Sequence, residues 1–223
     1  GFPGWKISII SCIAVISLLI IQPDFGQTIL VSFVWGIQLF MAGLAWIWVG
    51  GLVVLALGGL LAAYLFLPHV TDRIDRFFHP ENADTYQVDL AIDAFKNGGI
   101  LGTGPGEGVV KMRLPDAHSD YIFAVAGEEF GVVVCLLIIS IFAVIVIRGF
   151  VNLLKEQDLF TVLAVAGLLI QFGIQAFINL AVNLSILPSK GMTLPFISYG
   201  GSSIISISIM SGIILNLTKR KIY

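Results

Sequence analysis

Apolar residues fall into six long runs, separated by short polar joints and one long polar stretch. The runs cover residues 5–21, 27–42, 46–67, 120–147, 160–186 and 200–217. At about 1.5 Å per residue each can cover roughly 30 Å of hydrocarbon, allowing for tilt. No water is available there to pair backbone groups, so the runs are expected to be helices. The alternation of barrel strands is absent.

The long stretch 68–119 carries its own pattern. In "TYQVDLAIDAFKNGG", Val88, Ala91, Ile92 and Phe95 recur at helical spacing, and Gly98-Gly99 supplies a stop. This predicts a short amphipathic helix at or near the membrane surface. "GILGTGPGEG" then places five glycines within 99–108, which predicts a tight irregular loop. It fits neither GxGxxG nor a Walker sequence and follows no strand, so a loop folded over the membrane surface is expected rather than a nucleotide site. No repeat or second domain is visible, and 1–223 reads as one membrane domain.

Composition agrees: of 223 residues 57% are hydrophobic and only 12% charged, against about 25% charged in soluble domains. The chain reads as an all-α polytopic membrane protein with six transmembrane helices and a large extracytoplasmic loop. Cys12 and Cys135 both lie inside apolar runs, so they are expected to pack as small hydrophobes rather than form a disulfide or metal framework. The chain starts at Gly1 with no signal-peptide pattern, and is expected to be the C-terminal part of a longer membrane protein. Lys6, Arg148, Lys155 and the Lys219-Arg220-Lys221 terminus fall on one side of a six-span drawing. The positive-inside rule assigns that side to the cytoplasm and loop 68–119 to the outside.

The outer ends of the runs hold the candidate chemistry. In "LPDAHSDYIFAVAGEE" (114–129), Asp120 stands where polar loop meets apolar run. One reading is a helix cap, with Ser119 or Asp120 accepting orphan N–H groups. Another is a functional acid. Ala124, Gly127 and Gly131 lie within about 40° of its helix face. Such a small-residue stripe admits a closely packed helix or leaves a groove for a lipid chain. Glu128 and Glu129 follow; an ionised acid at the membrane centre costs about 2.5–3.5 kcal/mol. At least one is therefore expected to face the interior or water. Structural pairing is the reading for Glu129, whereas Glu128 stays open between structure and function. Gln171, Gln175, Asn179 and Asn183, four apart, predict a bundle-facing polar stripe, read as interhelical hydrogen bonding or else as the lining of a polar cavity. Lys190, in the last outer loop, suits either exposure or a carboxylate or phosphate partner. Asp24, in the turn Pro23–Phe25, reads first as turn chemistry. His118 has no second histidine or cysteine nearby and reads as a support or hydrogen-bonding residue, with no metal site.

Five stretches together resemble the SEDS family of bacterial cell-wall polymerases. They are "QPDFG" (22–26), "RFFHPENADTYQ" (76–87), "GILGTGPGEG" (99–108), "LPDAHSDYIFAVAGEEFG" (114–131) and "LPSKGMTLPFISYGGSS" (187–203). They extend across nearly the whole chain, and their combination in this order is highly specific. Lys190 and Lys111 favour the division-type branch over the elongation-type branch, which usually has an uncharged residue at the Lys190 position. Family members have ten spans, so the six here would be the last six.

The resemblance implies a peptidoglycan glycosyltransferase that polymerises lipid II and releases undecaprenyl diphosphate on the outer face of the bacterial inner membrane. Asp120 matches the position expected for the catalytic base. Lys190, Lys111, His118, Glu128 and Asp24 are substrate-binding candidates. A divalent cation, Mg2+ or Mn2+, is an expected helper for the diphosphate. The implied partners are membrane lipid, a class B penicillin-binding transpeptidase and other division-site membrane proteins, and no nucleic acid. A lipid II transporter and a non-catalytic scaffold are the rival readings. Transport would favour discontinuous helices, and none is obvious in the sequence beyond the glycine positions.

Overall fold

The structure is a computed structural model, and it describes residues 4–67, 70–72, 74–75, 86–188 and 191–219. Among these, each predicted apolar run forms a helix: α1 (Gly4–Ile21), α2 (Phe25–Met41), α3 (Trp46–Phe66), α5 (Ile122–Leu153), α6 (Leu159–Asn183) and α7 (Gly201–Thr218). α3, α5, α6 and α7 are long and apolar enough to cross a membrane; the apolar stretches Lys6–Ile21 and Phe25–Met41 are shorter. The molecule is a multi-pass membrane protein.

α6 is the hub. Its buried face carries Val165, Ala166, Leu169, Phe172 and Ala176, and it packs against α2, α5 and α7. Gly167 lets α2 approach, because a Cβ there would run into the Gln38 carboxamide; Gln38 Nε2 donates to the Leu163 carbonyl. α2 meets α6 through Leu30 and Val34, with Met192 from the last loop between them. α3 buries no side chain within this chain.

The short helix predicted in the long loop is α4, Tyr86–Gly98. It packs on the start of α5, with Leu90, Ala91 and Ala94 joining Tyr121 and Ala124 in one apolar cluster. The buried stripe is thus rotated from the expected Val88, Ala91, Ile92 and Phe95. Contact with α5 rather than with a lipid surface selects the face.

α5 departs from the expected continuous span. Gly131 has φ 74° and ψ −177°, which breaks the helix in two. The glycine-rich loop closes the break. Thr103 and Gly104 N–H groups donate to the Glu128 and Glu129 carbonyls at 2.9 and 3.0 Å. Val132 and Val133 N–H groups donate to Gly99 and Ile100 carbonyls at 3.0 and 3.4 Å. Four main-chain groups at the break thereby have partners from the loop, which a helix in lipid requires. The portion after the break, Val132–Leu153, is at about 1.5 Å per residue still long enough to cross about 30 Å. The two acids precede it.

A Cβ at residue 131 would meet the Ile100 carbonyl, and the positive φ is strained for any L side chain. Gly131→Ala is expected to destabilise the fold by more than the roughly 1–2 kcal/mol of a left-handed residue. Gly212→Ala, where nothing lies within 4 Å, should be neutral or slightly stabilising. Thermal midpoints in detergent compare the two, and equal midpoints would contradict this account of the break.

Candidate active site

Asp120 lies just before α5, half-buried in the loop that follows Leu114. Residue 116 starts the approach: Asp116 takes a left-handed conformation, φ 54°, and its carbonyl accepts from the Ser119, Asp120 and Tyr121 N–H groups. Asp tolerates this conformation better than most residues. The turn aims Asp120 toward the last loop, where a Cβ on Gly191 would sit 3.4 Å from Asp120 Oδ2.

The expected capping role is not what the structure has. Tyr121 is the N-cap of α5 and makes no side-chain cap bond. The cap comes from α6: Asn183 Oδ1 accepts from the Ala124 N–H at 3.0 Å. A carboxamide reaching from another helix removes the need for a local Ser or Asp cap.

The polar stripe of α6 binds two loops. Asn179 Nδ2 donates to the carbonyls of Asp120 (2.9 Å) and Met192 (2.6 Å). Asn183 Nδ2 donates to the Asp120 carbonyl (2.8 Å) and to the Asn179 carbonyl (2.9 Å). Gln175 Nε2 donates to the Thr193 carbonyl at 3.0 Å. Ser198 Oγ donates to the Ser119 carbonyl, and the Tyr199 N–H to the His118 carbonyl at 2.8 Å. Loops 114–121 and 191–199 are thus tied together, and the stripe is interior hydrogen bonding from helix to loops rather than a polar cavity lining.

The ties that reach Asp120 use its main chain. Among the described residues, its carboxylate has no hydrogen bond or ion pair. Burial, and then the negative charge of Asp116, hold its pKa above the ordinary carboxylate value. The neighbouring Tyr121 hydroxyl is pushed up to about 12, first by burial and then by the same two acids. It stays neutral and adds no charge beside Asp120. An open cavity of about 460 Å³ adjoins this loop, lined by Ile122, Phe196, Ile197 and Ile204 with His118, Ser198 and Tyr199. Its aromatic wall was not foreseen; "PFISY" reads in sequence only as loop.

The other candidates are placed differently. Glu128 is fully buried. Its Oε1 accepts from Asn97 Nδ2 (2.8 Å) and the Val109 and Val110 N–H groups (2.9 and 2.8 Å), and Oε2 from the Lys111 N–H (2.9 Å). It therefore folds the loop over α5, and no face of the carboxylate is open to substrate. Lys111 is ion-paired with Glu129, which agrees with the structural reading of that acid. Asp24 caps α2, accepting from the Gln27 N–H at 3.0 Å, so its described role is local. His118 is exposed at the cavity rim. Lys190 lies outside the described residues. The small-residue stripe is not an open groove: Phe95 packs at Gly127, and Ile100 and Gly102 at Gly131.

A family model described as Cell cycle protein, covering FtsW, RodA and SpoVE, matches residues 3–223. The chain belongs to this family. Over 221 residues it is 44% identical to a probable peptidoglycan glycosyltransferase FtsW of Caulobacter vibrioides, covering 99% of this chain and 57% of that protein. A protein of the same description from Geobacter metallireducens is 39% identical over 209 residues, covering 92% and 56%. The crystal structure of an Asp-to-Ala mutant of the rod shape determining protein RodA from Thermus thermophilus aligns with a TM-score of 0.64 and 26% identity, over 96% of this chain and 56% of that one. The chain therefore spans little more than half the length of its relatives. The division-type resemblance agrees with the FtsW descriptions.

Removing the Glu128 carboxylate leaves buried N–H groups unpaired, each costing about 1–3 kcal/mol. Glu128→Ala is expected to lose most folded protein, while Glu128→Gln, which keeps one acceptor oxygen, loses less. Size-exclusion recovery and thermal midpoints read this. A stable, fully folded Ala variant would show that the clamp is dispensable.

Proposed function

We propose that this chain carries the catalytic part of a division-site peptidoglycan glycosyltransferase that polymerises lipid II. The observation that carries the reading is Asp120: a carboxylate unpaired among the described residues, with its pKa raised, beside an apolar cavity at the end of a membrane helix. The membership in the FtsW/RodA/SpoVE family and the glycosyltransferase descriptions of relatives support it.

Lipid II has a wet disaccharide and an oily polyprenyl tail, and the site has matching halves. Asp120 takes the proton from the acceptor hydroxyl as its oxygen attacks the anomeric carbon of the donor. The bond from that carbon to the diphosphate breaks, undecaprenyl diphosphate leaves, and the configuration inverts without a sugar–enzyme bond. The cavity between Ile122, Phe196 and Ile204 offers apolar walls for the first part of a tail. Lys190, one residue before the glycine beside Asp120, is the candidate cation for the diphosphate.

The described residues hold no group of three or more His, Cys, Asp or Glu side chains able to cage a metal. Mg2+ or Mn2+ would rest on the substrate phosphates and on water. There it would offset leaving-group charge. In this reading loop 68–119 is extracytoplasmic, the C-terminus is cytoplasmic, and a class B transpeptidase and other division proteins are the partners.

The break in α5 favours a transporter as the second reading, since discontinuous helices mark transport sites. Against it, four of the backbone groups around Gly131 are taken by the chain's own loop. One experiment separates the two. Full-length protein with its transpeptidase partner receives lipid II in detergent. Asp120→Asn is expected to lose at least about 100-fold in strand synthesis. Equal synthesis by Asp120→Asn and wild type would remove Asp120 as base. Movement of lipid II across vesicles without polymerisation would establish transport.

The pH profile gives a further check. A base works ionised, and its raised pKa makes activity fall on acidification earlier than an ordinary carboxylate would. Asp116 contributes to that rise, and Asn also tolerates its left-handed backbone. Asp116→Asn is therefore expected to move the acid limb of kcat/KM to lower pH. A shift to higher pH, or none, would contradict the coupling.

A further inference from the structure

We propose that Asn179 and Asn183 are positioning residues for catalysis, acting through the main chain of Asp120; this rests on Asp120 being the base. Their roles differ from ordinary interhelical glue in three respects.

First, three of the four amide N–H groups of the pair go to the loops of the site. The Asn179 amide gives one N–H to Asp120 and one to Met192, carbonyls from two different loops. The Asn183 amide gives one to Asp120 and one back to Asn179. Second, the orientation is determined. Turning either amide over would set its oxygen against carbonyl oxygens, and for Asn183 would also set its nitrogen against the Ala124 N–H. Third, both side chains are buried, at 2% and 0% exposure. Water therefore does not compete for these bonds, and an unmade one stays unmade.

The consequence is geometric. The Asp120 carbonyl is gripped by two amides, and one of them also grips Met192, next to the Gly191 that faces Asp120 Oδ2. Asn179 therefore sets the spacing between the base and the last outer loop, where the leaving-group cation is expected. The side chain of Asp120 is left untouched by the grip. Misplacement by an ångström can cost about 100-fold in rate, so loosening the grip should lower turnover more than substrate binding.

The test uses the full-length protein with its transpeptidase partner and lipid II. Asn179→Leu removes both donors at similar volume. It is expected to lower kcat tenfold or more per folded molecule while KM changes less than threefold. Gln38→Leu is the packing control. It removes a partly buried helix–helix contact at Leu163, about 24 Å along α6 at 1.5 Å per residue. It should lower the thermal midpoint while kcat stays near wild type. If Asn179→Leu yields too little folded protein, Asn179→Ser decides, since a hydroxyl can serve only one carbonyl and should show the same kcat loss in milder form. Asn183→Leu should follow Asn179→Leu.

Wild-type kcat in folded Asn179→Leu or Asn179→Ser would overturn the proposal, as would an equal kcat loss in Gln38→Leu. Asp120→Asn, run in parallel, separates the premises. If Asp120→Asn is inactive and Asn179→Leu is fully active, only the positioning proposal fails. If Asp120→Asn is active, the base assignment fails and the positioning proposal falls with it.

Discussion

Four main-chain hydrogen bonds across the break at Gly131 hold the glycine-rich loop to α5, and the rest of the site stands on them. An apolar helix that loses its i→i−4 bonds exposes polar groups to surroundings with nothing to offer in return. The chain answers with residues 99–104, whose glycines permit the approach: a Cβ at Gly102 would run into the Glu129 carbonyl. The same requirement recurs at Glu128. Four donors from α4 and the loop converge on one buried carboxylate, which can accept them all because an ionised carboxyl has two oxygens and no proton to place. α4, the loop and the first turns of α5 become one unit, with Asp120 at its edge.

The second constraint comes from α6, and it uses neutral amides. A buried amide with all its bonds made carries no charge to desolvate, whereas a buried ion pair must recover several kcal/mol per ion. Asn179 and Asn183 thus fix two loops at low cost. Met192 fixes its loop again by a different means, inserting its side chain between α2 and α6. Against this background the partly buried Asp120 carboxylate has no stabilising contact among the described residues and a repulsive neighbour in Asp116. Carboxyls kept under such conditions are characteristic of functional sites.

The helices were legible because hydrocarbon allows few alternatives, and apolar runs of this length report them directly. Asp120 was legible as a seam residue, and the four-residue spacing of Gln171, Gln175, Asn179 and Asn183 predicted a face turned inward, which holds for the last three while Gln171 is only partly buried. Partners were not legible. Asn183 as the cap of α5 lies 59 residues from Ala124, and local capping rules favour Ser119 or Asp120 for lack of any rival in sequence. Ala124, Gly127 and Gly131 were rightly grouped as a close-contact surface, but nothing in their spacing says that Phe95 and the glycine loop cover it. Gly131 itself looks like one more small residue in an apolar run. Its positive φ becomes visible only once a loop from residues 99–104 arrives to take up the freed bonds.

Three acids within ten residues, Asp120, Glu128 and Glu129, end in three different conditions, and the donors around each explain why. Glu129 has a lysine. Glu128 has four N–H groups, so protonating it would set a proton against donors and cost the loop its anchor. Asp120 is held by its main chain, its carbonyl through two asparagines and its N–H through the Asp116 carbonyl. Its carboxylate can take up a proton and release it without breaking any hydrogen bond on which the described fold relies. An acid that must cycle between protonation states in each turnover needs this separation, and of the three only Asp120 has it.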